Sequence, residues 1–173
     1  KHRWRIIFDT LTANALTEPP TAAEWRSTKQ LLSFFARHKI FKSFDFKCFY
    51  YQFKFTERVS DLYVGRVGNK LFRIRRCPMG HKAAVCHAHG VTSFVAQSAI
   101  RQVGATQKVE ADVIIDNVTF GGPDTAIIEE VAEAFRSLCA TFNIVIGDVS
   151  PTSATTIHRG LCFDGQTGVL AIK

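Results

Sequence analysis

Val113-Ile114-Ile115-Asp116-Asn117-Val118-Thr119-Phe120-Gly121-Gly122 is the stretch on which the reading of this 173-residue chain turns. Apolar residues run up to an Asp-Asn pair and then resume. Asn and Asp tolerate positive φ and hydrogen-bond their own backbone, so the pair predicts the tip of a tight β-hairpin. Two readings of Asp116 follow: a polar residue on a surface turn, or a metal ligand held on a strained one. The second requires another carboxylate, delivered by a neighbouring strand.

Phe44-Asp45-Phe46-Lys47 offers that carboxylate, at the end of a strand predicted from Ile40 to Asp45. An Asp between two Phe is badly placed on a half-buried strand unless something neutralises it. If this strand lies beside the hairpin, Asp45 and Asp116 meet at one sheet edge. Two carboxylates that close repel unless a divalent cation sits between them. Mg²⁺ suits them, because it is hard, takes few protein ligands and fills its other positions with water and substrate phosphates. A pair of such ions is the usual arrangement for in-line phosphoryl transfer.

The rest of the chain bears on the partner. It carries net charge +7, with 17 Lys+Arg against 6 Asp+Glu in residues 1–90 and 5 against 9 in residues 91–173. A basic front half points to a polyanion on one face, or to a basic solvated surface. The composition, 46% hydrophobic and 21% charged, is that of a globular chain. No apolar run approaches the ~18 residues of a membrane span. Cys48, Cys77, Cys86, Cys139 and Cys162 are odd in number and scattered, which predicts free thiols in a reducing, intracellular compartment. With neither initiator Met nor signal core, the chain reads as a piece of something longer.

Pattern predicts a strand over 3–8 and a helix from a Thr21/Glu24 capping box to about Arg37, with Trp25, Thr28, Leu32 and Phe35 on its stripe. A hairpin around Gly68-Asn69 clusters Lys70, Arg73, Arg75 and Arg76. A helix follows from Ala83 to about Val103, then the opening hairpin, then a helix from Pro123-Asp124 to about Thr141. Strands are expected at 143–149, 157–163 and 168–172. In the aromatic run from Phe44 to Phe55 most of the even-numbered side chains are expected in the core. Asp112 reads as a surface residue, too early on its strand to join the acids. Cys77, His81, Cys86, His87 and His89 lack standard zinc-ligand spacing. The class is α+β, a mainly antiparallel sheet with helices on one face.

Several of these stretches resemble the motifs of reverse transcriptases. Arg3-Trp4-Arg5-Ile6-Ile7-Phe8-Asp9, with Asn14 after it, resembles the family's first fingers motif. Phe44-Asp45-Phe46-Lys47-Cys48-Phe49-Tyr50-Tyr51-Gln52 is similar to motif A, LDLKxAFYQ. Arg76-Cys77-Pro78-Met79-Gly80-His81-Lys82-Ala83-Ala84 is similar to motif B, LPMGLKxAP. Ile114-Ile115-Asp116-Asn117 stands at the YxDD box, and His158-Arg159-Gly160-Leu161 where a turn opens the primer-grip hairpin. The finer resemblance is to retroelements of the tyrosine-recombinase (DIRS-like) group, especially its VIPER branch.

The resemblance implies a right-hand polymerase palm with a ferredoxin-like sheet, plus fingers, without a thumb. Residues 1–40 would be fingers, 41–53 palm, 54–82 the fingers hairpin and motif B loop, and 83–173 palm. Asp45, Asp116 and Asn117 would be catalytic, with Asp45, Asp116 and the Phe46 carbonyl holding Mg²⁺ (or Mn²⁺). Arg5, Tyr50, Met79 and Gly80 would bind the nucleotide, Tyr50 as the steric gate against a ribose 2′-OH. Arg73, Arg75, Arg76, Lys82, His158, Arg159 and Gly160 would contact template or primer. The implied activity is RNA-directed DNA synthesis of a retrotransposon from dNTPs on an RNA or DNA template–primer, with no membrane partner and with thumb and RNase H domains in the longer protein. Asn117 departs from the family by losing one negative charge, which keeps open a domesticated, non-catalytic RNA-binding or structural module.

Overall fold

The computed structural model describes residues 8–18, 20 and 22–172. The chain divides into two compact units, one built from Lys1–Ala23 and Cys48–Ala88, the other from Glu24–Lys47 and His89–Lys173.

The second unit is organised on a four-stranded antiparallel sheet. β1 (Ile40–Phe46) lies between β5 (Asn117–Gly122) and β6 (Ile146–Val149), and β4 (Glu110–Ile114) flanks β5, giving the order β4-β5-β1-β6. β1 and β5 pair from Ile40 opposite Gly122 to Asp45 opposite Asn117. Successive side chains on a strand point to opposite faces, and β1 carries Phe at both parities. Phe44 and Phe46, with Phe120 of β5, pack on Phe135 of α5 (Thr125–Thr141), at ring-centroid distances of 4.9, 5.8 and 5.3 Å. Phe41 faces the other way, into Leu31, Phe34 and Phe35 of α2 (Thr28–Arg37) and Phe163. Burying each Phe removes enough apolar surface to contribute about 1.5–3 kcal/mol, so a strand apolar on both faces is held from both.

Three local expectations are corrected here. α2 starts at Thr28, not at Thr21, which lies outside the described residues. Its N-cap is Ser27, whose hydroxyl accepts from the Gln30 N–H while the Gln30 side chain accepts from the Ser27 N–H. The motif is again a Ser/Thr-x-x-Glu/Gln box, six residues later than expected. Its buried stripe is therefore Leu31, Phe34 and Phe35; Leu32 is 40% exposed, and Trp25 precedes the helix and packs on His89. The single strand expected over 157–163 is two, β7 (Thr155–His158) and β8 (Leu161–Asp164), which with β9 (Leu170–Ile172) make a separate three-stranded sheet. Arg159 and Gly160, at φ 51° and 74°, form the two-residue turn between them. Finally Phe49, odd-numbered, is 3% exposed. β1 has ended by then and a 3₁₀ turn, Phe49–Gln52, has replaced the period of two. The strand expected over 3–8 falls almost wholly outside the described residues.

The first unit holds α1 (Leu11–Ala15), α3 (Glu57–Ser60) and the hairpin of β2 (Val64–Val67) and β3 (Lys70–Arg73), with Gly68-Asn69 at its turn. At its centre the Tyr63 hydroxyl lies 2.5 Å from His81 Nδ1, and both rings pack on Phe55. α4 (Ala84–Gln102) begins in this unit and carries the chain into the second. All five cysteines are free, and burial pushes the Cys77 thiol up to about 11. No helix among the described residues is long and apolar enough to cross a membrane.

Candidate functional site

The hairpin predicted from the opening stretch forms, one residue out of the expected register. Its two turn residues are Ile115 and Asp116; Asn117 already belongs to β5, paired with Ile114 on one side and Asp45 on the other. Positive φ falls on Ile115, at 54°. A β-branched side chain in the left-handed region is strained by roughly 1–2 kcal/mol. Two hydrogen bonds hold it there. The hydroxyl of Thr92 on α4, fully buried, donates to the Ile115 carbonyl at 2.5 Å, and the Phe46 N–H donates to the Asp116 carbonyl at 3.0 Å. The second bond ties the turn to the end of β1 and so sets Asp116 beside Asp45.

A third acid joins them. The pairing of β1 with β6 is irregular at this point: Phe44 faces Val149 and Phe46 faces Ile146, so two residues of β6, Gly147 and Asp148, oppose Asp45. Bulges of this kind re-aim side chains and recur beside active sites. A Cβ on Gly147 would stand 3.1 Å from the Asp45 carbonyl oxygen, so glycine lets β6 approach closely. Burial raises the pKa of the Asp45 carboxyl, and the charges of Asp116 and Asp148 raise it further. Sequence reasoning missed Asp148, because a bulge leaves no periodic signal.

These residues suit a divalent ion. The charges that raise the Asp45 pKa repel its carboxylate, and a cation relieves the repulsion. Among the described residues no cluster of three or more His, Cys, Asp or Glu is placed to hold a metal. Mg²⁺ does not need one, since one or two carboxylates with water and substrate phosphates complete its shell.

The other expected site residues are distributed as follows. Arg5 lies outside the described residues. Tyr50 is half-buried on the 3₁₀ turn, and Met79 is exposed. The Gly80 carbonyl accepts from the Thr10 hydroxyl and the Asn14 amide, each at 2.8 Å, while Asn14 Oδ1 accepts from the Lys82 N–H at 2.9 Å. Asn14 thus clamps the Gly80–Lys82 loop, and the Lys82 ammonium donates to the Thr17 carbonyl. Arg73 pairs with Asp61 at 2.9 Å, Arg76 donates to the Gln52 carbonyl at 3.1 Å, and Arg75 is exposed.

Asp112 is not a surface residue. It is 1% exposed and receives Arg26 Nε at 3.2 Å, Arg159 Nη2 at 3.1 Å and His158 Nε2 at 2.6 Å. His158, 7% exposed, has its other ring nitrogen 3.0 Å from Thr119 Oγ1, which lies 2.8 Å from Ser43 Oγ. Opposite-charge partners are what allow a carboxylate to be buried. The network joins β4, β5, β1 and β7, and both nitrogens of His158 are engaged inside it. Asp112 pairs with Thr119 across the ladder, so it shares their face, and α2's lead-in and β7 cover that face.

No protein-family model matches the chain, and no curated protein sequence does. Solved structures share its fold. A foamy viral protease–reverse transcriptase in complex with double-stranded DNA superposes with a TM-score of 0.79 at 12% identity, over 99% of this chain and 28% of that one. A prototype foamy virus protease–reverse transcriptase gives 0.61 at 18% identity, over 83% and 18%. The chain spans less than a third of either protein. At these identities the likeness is one of fold: a mixed α/β chain with antiparallel sheets, similar to part of a reverse transcriptase.

Proposed function

We propose that this chain is the fingers–palm core of an RNA-directed DNA polymerase of a retrotransposon. The observation that carries the reading is the meeting of Asp45 and Asp116, 71 positions apart in the chain, at one end of the sheet's central strands, on a braced turn. Asp45 and Asp116, with the Phe46 carbonyl, would hold the ions, and Asp148 supplies negative charge where Asn117 lacks it. When bound, Mg²⁺ or Mn²⁺ would lower the pKa of a primer 3′-OH and neutralise charge on the pyrophosphate leaving from a dNTP. The chain's own part is positioning: the Thr92 and Phe46 bonds fix Asp116, and the β6 bulge sets Asp148 against Asp45. The roles of Arg5, Tyr50, Met79 and Gly80 toward the nucleotide, the DIRS-like placement and the domain boundaries rest on motif resemblance alone. With His158 and Arg159 both engaged with Asp112, primer contact in this reading falls to the Gly160 backbone at the turn.

Primer extension on an RNA template tests this. The parent chain extends with Mg²⁺ or Mn²⁺, and Asp45→Ala and Asp116→Ala each lose at least about 100-fold, the size of an active-site electrostatic contribution. Asn117→Asp extends faster than the parent, and Asp148→Asn more slowly. Extension by Asp116→Ala at the parent rate sinks the reading. Asn117, uncharged at the head of β5, favours a second one: a non-catalytic relative that binds RNA. Template binding without extension, in both the parent and Asn117→Asp, selects it.

A further inference from the structure

We propose that the first unit contains a pocket for one phosphate of a nucleic-acid backbone, formed by Lys54, Ser60, Arg73 and Arg75. These residues, with Phe55 and Glu57, surround a cavity of about 100 Å³. That is well below the roughly 300 Å³ at which small-molecule sites begin, yet ample for several waters. It has room for a group of phosphate size.

The walls are built for an oxyanion. Among the described residues the Lys54 ammonium and the Arg75 guanidinium have no ion-pair partner. Arg73 gives one nitrogen to Asp61 and keeps the rest of its fork. Ser60 is 2% exposed and lines the floor of the cavity, where its hydroxyl can donate to an oxyanion. The cations are also pre-set. The Phe55 N–H donates to the Arg75 carbonyl at 3.0 Å and Lys54 bridges Arg76, so the two segments are tied by backbone.

Charge selects the ligand. Three cations face one acid, Glu57, and Asp61 takes up part of Arg73. The surplus is close to a single charge, which matches a phosphodiester better than free dianionic phosphate. The source of that diester, a template strand, rests on the function proposed above; the pocket's chemistry does not.

The test is fluorescence anisotropy of a labelled single-stranded oligonucleotide titrated with the whole chain at 50–200 mM salt, with inorganic phosphate as competitor. Lys54→Gln/Arg75→Gln should weaken binding and flatten the plot of log K against log salt by about 0.7, the value for one phosphate on a single strand. Lys54→Arg should retain both affinity and slope, and circular dichroism should show all variants folded. Ser60→Ala should weaken binding with slope unchanged. An unchanged slope in the double variant overturns the proposal. So does flattening by about 1.4, which would mean two separate surface contacts. Saturable binding of inorganic phosphate, lost in the double variant while oligonucleotide affinity is untouched, overturns the backbone source. The polymerase reading fails separately: a parent chain that shows the 0.7 difference but extends no primer keeps the pocket, and one that extends primer with no slope difference loses the pocket alone.

Discussion

Ile115 carries a conformation that its side chain disfavours, and the buried Thr92 hydroxyl is what stands against the strain. Removing that hydroxyl while keeping the shape leaves a turn carbonyl without its donor. Thr92→Val is therefore expected to cost about 1–2 kcal/mol in urea unfolding. Ile115→Asn, whose side chain is at ease at positive φ, should restore part of the loss in the double variant. Equal stability of Thr92→Val and the parent would show that the bond does not brace the turn. The same residues show why the opening stretch was legible only in part. Asp-Asn correctly marked a turn, but which residue took positive φ was set by contacts from α4 and β1 that lie outside the stretch.

Secondary-structure elements were recovered where their signals are local. α4, α5 with its Asp124 cap, β1 and the Gly68-Asn69 hairpin all stand close to expectation. α2 was placed six residues early because two capping boxes compete in its sequence and only packing of Leu31, Phe34 and Phe35 selects Ser27. The end of α2 also carries a pH sensitivity. Burial lowers the pKa of His38, Glu110 opposes this, and Arg37 and Arg26 lower it again, so the net shift is downward. The folded chain resists protonation that the unfolded chain accepts near 6.5. Stability should accordingly fall as pH drops through about 6.5, continuing until the depressed folded pKa is passed. His38→Phe, which keeps a ring against Phe34, should lose less between pH 7 and 5 in thermal melts. Parallel losses in both proteins would assign the effect to other groups.

The second unit as a whole is tied together through Asp112. One buried carboxylate receives two arginines and a histidine from segments far apart in the chain, so its removal strands cations from each of them. Breaking a buried ion pair by deleting one partner typically costs about 3–5 kcal/mol. Asp112→Ala should unfold the second unit at correspondingly lower urea, and Arg159→Gln, which removes only a partly exposed partner, should cost markedly less. If the two variants are equally stable, the network is not cooperative. The reading of Asp112 as a surface residue failed for a plain reason: strand period shows which face a residue shares, not what covers that face.

By itself the sequence determined the α+β class, the strand carrying Asp45, the hairpin bearing Asp116 and the basic front half. Each is written in short-range order: period, turn chemistry and charge. Tertiary structure alone decided that Asp148 opposes Asp45, that Asp112 and His158 are buried partners, and that the hairpin turns on Ile115. Those outcomes depend on a bulge, on coverage by distant elements and on two bracing hydrogen bonds, all of which join residues that no local pattern connects.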